Sequence, residues 1–228
     1  MGSNPSLIRG LKMPLDNKTI LEAVKQAKTQ SGGKKFNQTV DMILDIQEID
    51  MKAPEGKIQE VVELPKPTGK PNKVCIVASG EFALKARNAQ ADFVLEKADL
   101  EGLGGKKKEL RKLATDYDIF VVEAPLMPLV GRILGPVLGP RGKMPIPVPL
   151  NADVNTILAK NRKTVVVRMR TQPIIQVSFG TEQMNDEELV ENAQAILRVL
   201  DVKLKRGLKN VKYMFIKTSM GEPVKIKP

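Results

Sequence analysis

Apolar residues recur along this chain with two different periods, and the switches between them predict its elements. Between Asn17 and Gln30, Ile20, Leu21, Val24 and Ala27 share one face of a helix. Asp16 or Asn17 can cap it, and Ser31-Gly32-Gly33 ends it. From Asn37 to Gln47 the period drops to two. Val40, Met42, Leu44 and Ile46 alternate with Thr39, Asp41 and Asp45, which predicts a half-buried strand. A weaker strand spans Lys57 to Leu64.

The proline-rich run from Pro65 to Pro71 then reads as a linker. Beyond it, short apolar strands alternate with helices. Strands are predicted over Lys73–Ser79, Phe93–Leu95 and Asp118–Glu123, and helices over Glu81–Ala89 and Lys106–Thr115. Such alternation implies parallel βαβ units. Arg132 to Pro149 follows, with five prolines, three glycines and three basic residues in eighteen positions. Proline fixes φ and removes a donor, and glycine opens positive φ, so a shaped loop is expected there. A helix is expected from Ala152 to Lys160. Thr164–Met169 and Ile174–Phe179 read as a hairpin pair around Thr171-Gln172-Pro173. Asn185–Lys205 is a long amphipathic helix, capped by Asn185 or Asp186, with Leu189, Ala193, Ile196, Leu197 and Leu200 on one face. Val211–Lys217 is a final strand that breaks into a Ser-Met-Gly turn. No internal repeat is visible.

The two ends share a style that the middle lacks. This predicts a discontinuous domain, residues 1–66 plus 159–228, carrying an inserted βαβ domain, residues 67–158. Two crossings, near Pro65–Pro71 and Ala159, would make a hinge.

Composition narrows the function classes. The 228 residues hold 42% hydrophobic residues, enough for a core, and carry a net charge of +11. No apolar run approaches a membrane span. MGSNPSLIRG lacks the apolar centre of a signal peptide, and MGSNPS reads as a disordered leader or a cloning remnant. The lone cysteine, Cys75, excludes an intrachain disulfide and a thiolate zinc cluster, and its apolar setting predicts a buried, inert thiol. The absence of histidine removes Ser-His-Asp and Cys-His catalysis and imidazole metal sites. No catalytic residue, metal ligand or cofactor is expected, and a cytoplasmic protein is.

The charge is uneven. Residues 67–158 carry 13 basic and 10 acidic residues, a net of +3, which leaves +8 for the terminal segments. Lys34-Lys35, Lys160 to Lys163, Arg168, Arg170 and the stretch Lys203–Lys212 supply much of that excess. A field of this sign attracts polyanions. Lys34-Lys35-Phe36 sets a ring beside two cations at a strand entrance, which suits a base or sugar on the ring with phosphates on the lysines. Thr218-Ser219-Met220-Gly221 offers two hydroxyls, a thioether and a close backbone approach to a ribose edge.

Three segments resemble the universal ribosomal protein L-one family, whose members form the mobile side stalk of the large subunit. Leu126–Pro149 is similar to the family signature, and KKFNQTVDM and TSMGEPVKI are similar to motifs near the family's two ends. The PRGKMP variant is archaeal in type. The resemblance implies an α+β terminal domain, a split βαβ sandwich, with an inserted α/β Rossmann-like three-layer domain. It implies a monomer when free that binds large-subunit rRNA through the terminal domain, with no membrane partner. It also implies help in releasing exit-site tRNA and repression of its own mRNA. Carried over by position, Lys35, Phe36 and Thr39 would meet RNA on the first strand. Thr218, Ser219, Met220 and Gly221 would meet it at the last, with Ser219 in place of the family's threonine. Arg170, Thr171 and Gln172 occupy a polar hairpin near the RNA, where Thr171-Gln172 replaces a more usual Asp-Lys pair. Glu222 follows Gly221, an unexpected carboxylate beside such a surface. Arg132, Arg141 and Lys143 are secondary RNA or tRNA candidates.

The competing class is a nucleotide-binding enzyme built on the insert. Against it, Ser79-Gly80-Glu81-Phe82 holds one glycine where a dinucleotide fingerprint needs three, and no GxxxxGK[ST] loop exists. Gly102-Leu103-Gly104-Gly105-Lys106 is glycine-rich ahead of a helix, more simply a flexible loop than an anion site. The long helix Asn185–Lys205 could instead dock a protein, but its apolar stripe reads as core.

Overall fold

A computed structural model of the protein describes residues 17–32, 34–50, 58–150, 152–169 and 171–226. The expected leader, the Asp16 cap, the strand start at Lys57 and Arg170 lie outside the described residues. The chain divides into two compact units, one formed by residues up to Val62 with those from Val166 onward, the other by Glu63–Val165.

The first unit is α+β. Helix α1 (Asn17–Thr29) buries Ile20, Ala23, Val24 and Ala27, one stripe at helical spacing. Strand β1 (Thr39–Ile46) buries every second residue. It lies between β8 (Ile174–Thr181) and β9 (Val211–Thr218), antiparallel to both. The short strand β10 (Val224–Ile226) pairs antiparallel with β9, giving the order β10-β9-β1-β8. Helix α8 (Asp186–Lys203) packs against α1 and β8, with Leu189, Ala193, Ile196, Leu197 and Leu200 buried. Asn192, fully buried, donates to the Phe179 carbonyl at 2.9 Å. Asn185 takes the cap position of α8 without a side-chain cap bond, and Asp186 instead pairs with Lys28 at 2.6 Å. Gly180 on β8 sits so close to α8 that a Cβ there would collide with Leu189 Cδ2 and Met184 Sδ. Gly180→Ala should therefore cost about 1–3 kcal/mol by overpacking. Urea denaturation measures it, and an unshifted midpoint would contradict this packing.

The expected hairpin is replaced by other pairings. β7 (Thr164–Arg168) pairs with β2 (Gln59–Glu63), whereas β8 pairs with β1. Alternation predicted both strands, but not their partners. The Thr171–Pro173 loop is anchored elsewhere: Ile46 N donates to the Pro173 carbonyl at 2.8 Å.

The second unit is α/β in three layers. Its parallel sheet has the order β4-β3-β5-β6, with β3 (Val74–Ala78), β4 (Phe93–Glu96), β5 (Ile119–Glu123) and β6 (Ile146–Val148). All residues of β3 and β5 are buried, as a sheet covered on both faces requires. Cys75, Val77, Phe120 and Val122 face one cluster with Leu100, Leu110 and Leu138. Val74, Ile76 and Val121 face the other with Phe82, Ala86 and Leu158. Helices α3 (Lys97–Gly102) and α4 (Lys107–Asp116) supply the first side. Helices α2 (Gly80–Asn88) and α7 (Val154–Arg162) supply the second. The expected join at Ala159 falls inside α7, and the Pro65–Pro71 segment belongs to this second unit. Cys75 is fully buried, and burial pushes its thiol up to about 12, so it is inert as expected.

The proline-glycine segment is not a loop. It enters the end of α5 (Met127–Ile133), continues as α6 (Gly135–Arg141), and ends with β6. The prolines occupy tolerant positions. Pro128 and Pro136 sit in first turns, where an N–H has no intrahelical partner, and Pro140 arrives only in the last turn. Gly142, at φ +72°, stops α6. Pro147 lies on the edge strand of the sheet. Val130, Leu134 and Leu138 recur every fourth residue and are buried, a helical stripe that the punctuation concealed.

Candidate nucleic-acid interface

The start of β1 and the end of β9 meet side by side. Ser219 N donates to the Thr39 carbonyl at 3.1 Å, Thr39 N donates to Ser219 Oγ at 3.2 Å, and the two hydroxyls lie 2.9 Å apart. The chain then turns sharply. Gly221 N donates to Thr218 Oγ1 at 3.1 Å, and Thr218 is itself fully buried. A Cβ at Gly221 would strike that same hydroxyl, so the tight turn requires glycine.

Beneath the turn lies a polar floor. Gln38 has no solvent exposure. Its Oε1 accepts from Met220 N at 2.9 Å, and its Nε2 donates to the Ser31 carbonyl at 3.2 Å and to Glu182 Oε2 at 3.3 Å. Its backbone N–H donates to Glu182 Oε1 at 3.2 Å, and its carbonyl accepts from Glu182 N at 2.9 Å. This network locks the backbone while the side chains above it stay in solvent. Met220 is 66% exposed and Phe36 52%. Lys34 and Lys35 are exposed beside Phe36, and Thr39, Ser219 and Gly221 are half-buried. Two large apolar groups held in water on a rigid base, next to cations, are poised for a partner.

The fold thus brings Lys35, Phe36, Thr39, Thr218, Ser219, Met220 and Gly221 to one end of the first unit's sheet. It does not bring Thr171 and Gln172 there. They are exposed in the loop held by Ile46, at the far end of β1 from Thr39. Seven residues of strand separate those ends, roughly 23 Å. Gln38, Glu182 and Ser31 were not singled out from sequence. Gln38 shares the parity of Val40, Met42 and Leu44, so a polar residue on the buried face was the available signal. Part of the expected charge excess is spent internally: Lys203 pairs with Glu60 at 2.6 Å, and Arg206 pairs with Glu48. Glu222 is exposed beside the turn.

Of the three secondary candidates, Arg141 and Lys143 bond within the second unit, and Arg132 is exposed. Arg141 Nη1 donates to the Arg111 carbonyl and to Thr115 Oγ1, each at 2.9 Å, and Lys143 Nζ donates to the Tyr117 carbonyl at 2.6 Å. The nucleotide-enzyme alternative meets an obstacle at the β3–α2 turn. Glu123, 3% exposed, accepts from Ser79 N at 2.7 Å and from Ser79 Oγ at 2.9 Å. A carboxylate occupies the place where a bound pyrophosphate would need donors. Among the described residues no group of acidic or cysteine side chains could hold a metal, and no helix is long and apolar enough to cross a membrane.

The molecule is thus a basic α+β protein with an inserted α/β unit and a rigid, exposed surface at one strand end. The chain belongs to the ribosomal protein L1p/L10e family, whose profile matches residues 23–222. It is similar to the large ribosomal subunit protein uL1 of Methanothermobacter thermautotrophicus, 48% identical over 91% of this chain and 98% of that one. The protein of the same name from Pyrococcus abyssi is 41% identical over 95% and 99%. That from Methanocaldococcus jannaschii is 40% identical over 93% and 97%. The archaeal resemblance in the PRGKMP segment agrees with these relatives. The family is one of structural proteins of the cytoplasmic ribosome and not of enzymes.

Proposed function

We propose that this protein is a structural component of the large ribosomal subunit that grips large-subunit rRNA with the strand-end surface of its first unit. The observation that carries the proposal is the pairing of exposed Phe36 and Met220 with the fully buried Gln38, whose side chain fixes the Met220 backbone. Phe36 supplies a stacking face, Lys34 and Lys35 meet phosphates, and the Thr39–Ser219 hydroxyls meet 2′-hydroxyls. Met220 and Gly221 let the backbone approach a ribose edge. Thr171 and Gln172 serve as a second, distant contact on an extended RNA, to which Arg170, next in the chain, adds a cation. The same surface would bind any RNA that reproduces the rRNA shape, which supports repression of the protein's own mRNA. Assistance to exit-site tRNA release follows from placement on the side stalk, as the family resemblance implies.

The test is gel-shift titration of the full chain with a side-stalk fragment of large-subunit rRNA, against a shuffled RNA of equal length. Tight, selective binding is expected. Equal affinity for both RNAs would sink the proposal. Binding should also weaken with salt. Displacement of about three to five counterions gives a log-log slope of roughly −2 to −4. A flat response would remove the lysines from the contact.

A further inference from the structure

The second unit holds a cleft of about 640 Å³ between α4 and the α5–α6 pair, with Lys107, Arg111, Arg132 and Arg141 on its walls and no carboxylate among its lining residues. Lys107, Arg111 and Arg132 are exposed and make no ion pair among the described residues. Half-buried Ile133 and Val137 and exposed Pro136 add apolar surface to the cleft lining. Its rim includes Gly104 and Gly105, which lack side chains to block an approach. The helix that opens on this rim is uncapped: α4 has Lys106 at its cap position, a side chain that accepts nothing, and no side-chain cap bond. A neighbouring cleft of about 570 Å³ shows what compensation looks like. There Lys106 and Lys112 stand among Asp99, Glu109 and Asp116, with Lys106 paired to Glu109 at 3.7 Å.

Three unpaired cations beside apolar lining residues repel one another, and an anion joining them relieves that repulsion. The anion that also matches the apolar lining carries a flat apolar body beside its charge, and a nucleotide has that chemistry. We propose that this cleft binds a nucleotide unit of single-stranded RNA. The base lies against Pro136, Ile133 and Val137, and the phosphates lie between Arg111, Arg132 and the start of α4. Arg141 frames the site through its bonds to the Arg111 carbonyl and Thr115. The site is separate from the strand-end surface of the first unit and does not depend on the function proposed for that surface. The free-nucleotide and polymer sources share this chemistry, and the polymer is favoured because Lys107, Arg111 and Arg132 together exceed the charge of one monophosphate.

The experiment titrates the ¹⁵N-labelled full chain with an octamer of uridine, and separately with uridine monophosphate. The octamer should shift the amides of Gly104, Gly105, Leu110 and Arg132. The double variant Arg111→Ala/Arg132→Ala should weaken that response at least tenfold, and Arg132→Lys should keep most of it. Val202→Ser, at an exposed position of the first unit outside both surfaces, should leave it unchanged. Silent cleft amides, or an undiminished response in the double variant, would overturn the cleft while leaving the strand-end surface untouched. Monophosphate binding as tight as the octamer would assign the site to free nucleotides and overturn the polymer. A cleft that responds while Met220→Asp has no effect on stalk-RNA binding would count against the strand-end surface alone.

Discussion

Met220→Asp lowers the affinity for side-stalk rRNA by about 30- to 1,000-fold, equivalent to ~2–4 kcal/mol. The side chain is 66% exposed, so the fold makes little use of it. Its backbone N–H bond to Gln38 survives the substitution. The new carboxylate would be pressed against phosphate and ribose, where its own desolvation and like-charge repulsion both oppose binding. Thermal unfolding of the variant should match the parent within a degree or two. Affinity within twofold of the parent, measured by gel shift on folded protein, would remove Met220 from the interface.

Gln38→Leu acts through the floor rather than the contact. It leaves the Met220 N–H and the Ser31 carbonyl without the Gln38 side chain and takes one donor from the Glu182 carboxylate, which keeps the Gln38 backbone N–H. Each orphaned group costs about 1–3 kcal/mol, so a loss near 3–5 kcal/mol of stability is expected. RNA affinity should fall as well, by at least about tenfold, because a freed Ser219–Gly221 turn must be ordered on binding. The two variants separate cause from cause: one changes affinity at constant stability, the other changes both. An unchanged urea midpoint for Gln38→Leu would show that the network is ornamental.

Several elements were legible because burial leaves a period in the sequence. The β1 alternation Val40-Met42-Leu44-Ile46 and the α8 stripe each lie where the pattern puts them. The continuous apolar runs of β3 and β5 correctly signalled a sheet covered on both faces. The Arg132–Pro149 segment failed for a definable reason. Proline and glycine counts report local preference, but position within a helix decides whether proline is tolerated. Val130, Leu134 and Leu138, spaced by four, carried the better signal. Strand partners were misread because alternation fixes which face is buried and says nothing about the neighbour. β10 is too short for a period, and its pairing with β9 is set by the Thr218–Gly221 turn.

At the site, the exposed residues were found and their support was not. Phe36 and Met220 stand out by residue type beside cations and hydroxyls. Gln38 and Glu182 look like ordinary strand-end polar residues until the sheet brings them together across 144 positions of chain. Thr171 and Gln172 show the converse. The resemblance puts them in a polar hairpin near the RNA, and the chain folds them to the strand end opposite Thr39.

The central claim is that RNA is held by the strand-end surface of the first unit. Photo-crosslinking tests it most directly. A benzophenone amino acid placed in turn at Phe36, Met220, Leu84 and Arg132 is irradiated in complexes with large-subunit rRNA, and the adducts are mapped. The account predicts strong adducts from Phe36 and Met220 that converge on one rRNA region, with none from exposed Leu84. Adducts confined to Arg132 or Leu84, with Phe36 and Met220 silent, would contradict it.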